Sequence, residues 1–104
     1  MLDQFIPSST RRLVLYPAPV NVRWGPDRLR VLCERELGLT LDLATAVIFH
    51  NRTKDTVVLY TLDKTGDRCI TKKLARGGFL LPVPAEGQKC VVLDASKVAS
   101  LFRA

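Results

Sequence analysis

Three apolar, β-rich runs joined by very short polar turns limit this chain more than any other feature. Residues 46–51, 56–62 and 69–74 are rich in Val, Ile, Leu, Phe, Tyr and Thr. Arg52-Thr53-Lys54-Asp55 separates the first pair, and Lys64-Thr65-Gly66-Asp67 the second. Connections this short join only antiparallel neighbours, because a parallel return needs about a dozen residues or more. The three runs therefore read as a meander.

The period-two pattern of that meander is unusual. One face carries Val47, Phe49, Val58, Tyr60 and Leu62, and the other Ala46, Ile48, His50, Val57, Leu59 and Thr61. A sheet wet on one side alternates more cleanly than this. Two explanations stay open: the chain covers both faces itself, or one face meets a partner or a second copy in a homo-oligomer.

Upstream, residues 12–16 form a short β-branched and aromatic run closed by Pro17 and Pro19, a first strand. Gly25-Pro26-Asp27 then opens a helix. Proline suits the first helical position, and Asp27 complements the positive end of the dipole. Leu29, Leu32, Cys33 and Leu37 make one apolar stripe, Arg30 and Glu34 stand as an i, i+4 pair, and Gly38 ends the helix. Downstream, Gly77-Gly78 breaks the chain, Pro82 and Pro84 keep it irregular, and 91–93 reads as one more short strand. Asp94 then caps a last helix over 95–102. The order β-α-β-β-β-(β)-α predicts an α+β fold, a small antiparallel sheet with two helices packed on it. A single domain over 12–104 follows a loose lead-in at 1–11, and 104 residues leave room for one core.

Hydrophobic content of 47% argues against disorder. Cys33, Cys69 and Cys90 lie far apart without a C-x-x-C pair, so they read as small apolar residues of a reducing compartment. The start lacks a basic, apolar leader. The longest mostly apolar stretch, 41–49, is interrupted by Asp42 and is far shorter than the ~20 residues of a membrane span. The expectation is a soluble, cytoplasmic protein without membrane partners.

Little in the sequence suggests catalysis. His50, the single histidine, stands beside Asn51 with no arguable nucleophile, and zinc could recruit only it beside the thiols. Asp27, Asp55, Asp63 and Asp67 sit at a helix start or at turns, where short carboxylates accept backbone N–H groups. Gly77-Gly78 lacks the Lys–Ser/Thr sequel of a phosphate loop. We therefore expect no enzyme, no cofactor and no bound metal.

Charge is more informative. A formal +6 favours polyanionic partners, DNA first. Arg52 and Lys54 share one turn, Lys64 and Arg68 flank the other, and Lys72, Lys73 and Arg76 end the last meander run. Strand alternation sends Lys72 and Lys73 to opposite faces. Basic and aromatic residues do not alternate, so contact with DNA would be electrostatic, made to phosphates and sensitive to salt.

The stretch His50-Asn-Arg-Thr-Lys-Asp55, then Val57-Val-Leu-Tyr60, Asp63, Gly66, Lys72-Lys-Leu-Ala-Arg-Gly77, Phe79 and Pro82 resembles a known pattern. It is similar to TnpB, the small second-frame accessory protein of the IS-sixty-six type of bacterial insertion sequences. Arg23-Trp-Gly-Pro-Asp27 with Leu29 matches that family's approach to its helix, although Asn21, Trp24 and Arg28 depart from the usual residues. Leu62 replaces a common aromatic, and Asp67 and Arg68 occupy a normally apolar stretch, which marks a divergent member. The resemblance implies a non-catalytic helper beside a separate transposase, bound to DNA or to the transposase complex. Arg23, Arg52, Lys54, Lys72, Lys73 and Arg76 are the expected contacts. Gly25, Asp27, Asn51, Asp55, Asp63, Gly66, Gly77, Phe79 and Pro82 are the expected structural set. The alternative is a protein-interaction or oligomerisation module that does not bind nucleic acid.

Overall fold

A computed structural model of the chain describes residues 10, 12–39, 41–79, 81, 86 and 91–93. The meander is present as β2 (Thr45–His50), β3 (Thr56–Asp63) and β4 (Gly66–Lys73). Both junctions are antiparallel, with Ile48 opposite Leu59 and Leu59 opposite Ile70.

The sheet as a whole is mixed, which corrects the expectation of a wholly antiparallel one. β1 (Arg12–Leu15) lies parallel to β2, with Val14 opposite Val47. The physical reason is the connection: unlike the meander turns, the stretch between β1 and β2 contains a helix and is long enough for a crossover. β5 (Val91–Leu93) pairs antiparallel with the other side of β1, giving the order β4-β3-β2-β1-β5. β1 is therefore interior, and its Leu13, Val14 and Leu15 are all buried. A strand flanked on both sides and covered on both faces reads as a continuous apolar run.

The crossover helix α1 (Pro26–Leu32) begins after Gly25 with proline in its first turn. It continues into one π-helical turn, Cys33–Leu37, and stops at Gly38, whose φ of 64° is the left-handed conformation glycine tolerates. Leu29 and Cys33 are fully buried against Val47, Phe49, Val58 and Tyr60. Arg30 does not pair with Glu34. It bonds Asp27 at 3.0 Å and reaches Asp67 on β4 at 3.5 Å, tying the helix to the edge strand. The sheet offers a half-buried carboxylate where Glu34 offers only a solvated one. Beneath that bridge the Tyr60 hydroxyl is buried without a hydrogen bond of good geometry. Burial first, and then the Asp67 carboxylate, pushes its ionisation far above the ordinary range for tyrosine.

The second apolar face is covered by the chain itself. Ala46, Ile48, Val57 and Leu59 are at most 1% exposed, packed with Leu13, Leu15 and Phe79, and Leu74, Leu81 and Val91 lie against them. This removes the meander's second face as a partner or oligomer surface. The expected closing helix over 95–102, its cap Asp94, Cys90 and Pro82 fall outside the described residues. Among the described residues no helix is long and apolar enough to cross a membrane.

Candidate functional site

The strand directions bring most of the expected cations to one end of the sheet. β1 and β2 both finish there, β3 begins there and β4 finishes there. That end holds the turn 51–55 and the segment 74–79. It also holds the loop into α1, since the Val20 N–H donates to the His50 carbonyl at 2.9 Å.

Turn 51–55 is built on one carboxylate. Asp55 accepts the Asn51 side-chain amide at 2.6 Å and the hydroxyls of Thr53 and Thr56, each at 3.0 Å. The Asn51 side-chain oxygen accepts the Thr56 N–H at 3.2 Å, closing the turn from its other side. These donors, Asn51 first, hold the Asp55 carboxyl below the usual carboxylate range. Lys54 adopts φ 61°, a conformation that disfavours side chains other than glycine and short polar ones.

A second basic segment is fastened to this turn by its backbone. The Leu74 N–H donates to the Asp55 carbonyl at 2.8 Å, and the Phe79 N–H to the Lys54 carbonyl at 2.7 Å. The fit is close: a Cβ on Gly78 would stand 3.2 Å from the Lys54 carbonyl oxygen. Gly77 supplies the positive φ, 72°, that lets the chain swing back. Phe79 then drops into the core of the second face. Arg52 and Lys54 are thereby held beside Lys72, Lys73 and Arg76, about twenty residues further along the chain.

All five of these side chains belong to exposed residues. Lys73 lies opposite Thr56 and Lys72 opposite Val57, so they do leave the terminal rungs on opposite faces. Arg23, also exposed, follows Val20 in the neighbouring loop, its N–H donating to the Asn21 side chain at 3.0 Å. Among the described residues none of these six cations forms an ion pair, whereas Arg30 forms two.

The far end of the meander is built otherwise. Asp63 accepts the Thr65 N–H and hydroxyl at 2.7 and 2.6 Å and the Gly66 N–H at 3.0 Å, with Gly66 at φ 143°. Lys64 and Arg68 are exposed there. His50 is buried, its ring nitrogens facing the main-chain carbonyls of Asn51 at 2.9 Å and Pro17 at 3.3 Å. Gly25 precedes α1, and Asp27 in its first turn pairs with Arg30. Among the described residues no three His, Cys, Asp or Glu side chains gather as a metal-ligand set.

A second surface, which the sequence reading does not single out, lies on the outer side of α1. The Arg28 guanidinium sits 4.0 Å from the centre of the Trp24 ring. Together with Val31, Leu32, Arg35 and Glu36 they line an open groove of about 250 Å³. The i, i+4 spacing of Trp24 and Arg28 was the available signal.

The family model described as IS66 Orf2 like protein matches residues 11–104. No curated protein and no solved structure matches the chain significantly.

Proposed function

The chain belongs to the IS66 Orf2-like family, a family of transposition-associated accessory proteins, and on that premise we propose that it serves the element's transposase by docking on duplex DNA through the basic end of its sheet. The reading rests on one observation. Two basic segments, Arg52 with Lys54 and Lys72 to Arg76, are locked together by two backbone hydrogen bonds and left without ion pairs among the described residues.

Unpaired cations on a fixed backbone suit a repeating line of phosphates. They lose few counter-charges on binding, and the turn they stand on is already ordered. The long side chains contribute charge rather than base readout, so the contact positions the protein without choosing a sequence. Arg23, in the loop beside His50, extends the same surface toward α1. The role is one of binding and placement, with bond-making left to the transposase.

Fluorescence anisotropy with a labelled duplex across rising salt tests the reading. Four phosphate contacts, with one of Lys72 and Lys73 turned to the other face, predict a log–log slope near −3.6, about a 10²-fold loss between 50 and 200 mM salt. Lys73→Ala and Arg76→Ala should each flatten the slope by about one unit. Absence of binding at low salt would remove the DNA reading and leave the protein-interaction alternative.

A further inference from the structure

The groove on the outer side of α1 is separate from the basic end, and its chemistry differs. Its floor is apolar: Trp24 and Leu32 are half-buried in the helix-side core, and Val31 is 46% exposed. Arg28 and Arg35 stand seven residues apart with Val31 between them, about two helical turns along the axis. The π turn at Cys33–Leu37 adds a residue to the winding there and carries Arg35 and Glu36 to the groove margin. Among the described residues neither Arg28 nor Arg35 has an ion-pair partner. The acidic residue among the groove's lining is Glu36. Its charge is also felt by Tyr16, whose ionisation is raised first by burial and then by that carboxylate.

At about 250 Å³ the groove falls below the roughly 300–1,000 Å³ usual for small-molecule pockets. It has room for one or two anchoring side chains. Nucleic-acid bases would need an open aromatic face, but the Trp24 ring carries the Arg28 guanidinium on one side and is half-buried in the core. An exposed valine between two unmatched guanidiniums two turns apart fits a different ligand. We infer that this groove docks an acidic amphipathic helix of a protein partner, with a leucine-like anchor over Val31 and flanking carboxylates on Arg28 and Arg35. This inference does not depend on DNA binding at the other surface.

Trp24 is the chain's single tryptophan, so its emission reports occupancy directly. The full chain is titrated with a capped peptide of Glu, Ala and Leu, leucines spaced i, i+3, i+7, and with its Lys-for-Glu twin. The expected result is a saturable emission change with the acidic peptide and about tenfold or weaker response to the basic one. Val31→Asp, on an exposed position, should abolish the change. Arg28→Glu with Arg35→Glu should reverse the preference between peptides, while Lys73→Ala leaves it untouched. Equal response to both peptides, no response up to about 1 mM, emission that depends on protein concentration alone, or tighter saturation by a single-stranded oligonucleotide would each overturn the inference.

Discussion

The two turns of the meander use the same local device and end up as different objects. Asp55 in one and Asp63 in the other each gather nearby N–H and O–H donors, and both carboxyls are held below the usual range. Among the described residues, only the first turn is then gripped through its backbone, by the N–H groups of Leu74 and Phe79. The second, at Lys64-Thr65, is a hairpin loop whose outside tie is a side-chain one, from Arg30 to Asp67 at 3.5 Å. An aspartate turn is a common way to reverse a chain, and it becomes a surface only when a distant segment is fixed against it. The basic residues at the gripped turn are thereby assembled into a patch. Lys64 and Arg68 flank the other, where Arg68 helps hold the Asp63 carboxyl low.

The comparison breaks most readily on DNA affinity. Lys73→Glu with Arg76→Glu should weaken binding to a duplex by about 10²-fold at low salt, while Lys64→Glu with Arg68→Glu changes it by about threefold or less. Equal losses in a paired titration would show net charge acting rather than the assembled end.

Stability separates the turns next. Asn51→Ala removes the 2.6 Å bond to Asp55 and the acceptor of the Thr56 N–H, and should cost about 2 kcal/mol in urea unfolding. Thr65→Ala, at the exposed loop, should cost about 0.5 kcal/mol. A reversed order would mean that the grip of Leu74 and Phe79 adds nothing.

Lys54→Gly sharpens the same point from the other side. Relief of the φ 61° conformation should raise stability by about 0.5–1 kcal/mol, while loss of one cation weakens DNA binding. A gain in both, measured side by side, would detach Lys54 from the contact surface.

The smallest effect is in acid. Both carboxyls have folded pKa values below their ordinary 3.8, so the stability they contribute is present above that pH and lost as pH falls through the folded value. Asp55→Asn should therefore flatten the decline in stability below about pH 4. An unchanged acid limb would show that its donors bind the neutral carboxyl equally well.

Much of this architecture was legible in local sequence. The short turns dictated the antiparallel meander, and Gly25-Pro26 and Gly38 bracketed the helical segment where they do in space. The direction of β1 was not legible, because a long connection permits either sense and only packing of α1 on one face selects the parallel return. The double apolar face left open whether the chain or a partner covers it. Phe79, Leu74 and Leu81 answer that: they follow β4 directly yet fold back over the face, which a period-two pattern does not reveal.

The basic end of the sheet divides the same way. Sequence alone determined which side chains carry charge and that Lys72 and Lys73 part to opposite faces, since both follow from residue type and the two-residue strand period. Tertiary structure decided which charges stand together and which are cancelled. Arg30 is neutralised by Asp67 across the sheet edge, and Arg52 joins Lys73 and Arg76 because two N–H groups find carbonyls of a turn some twenty residues back. Such pairings depend on distances through space, and a local pattern carries no information about them until the chain has closed on itself.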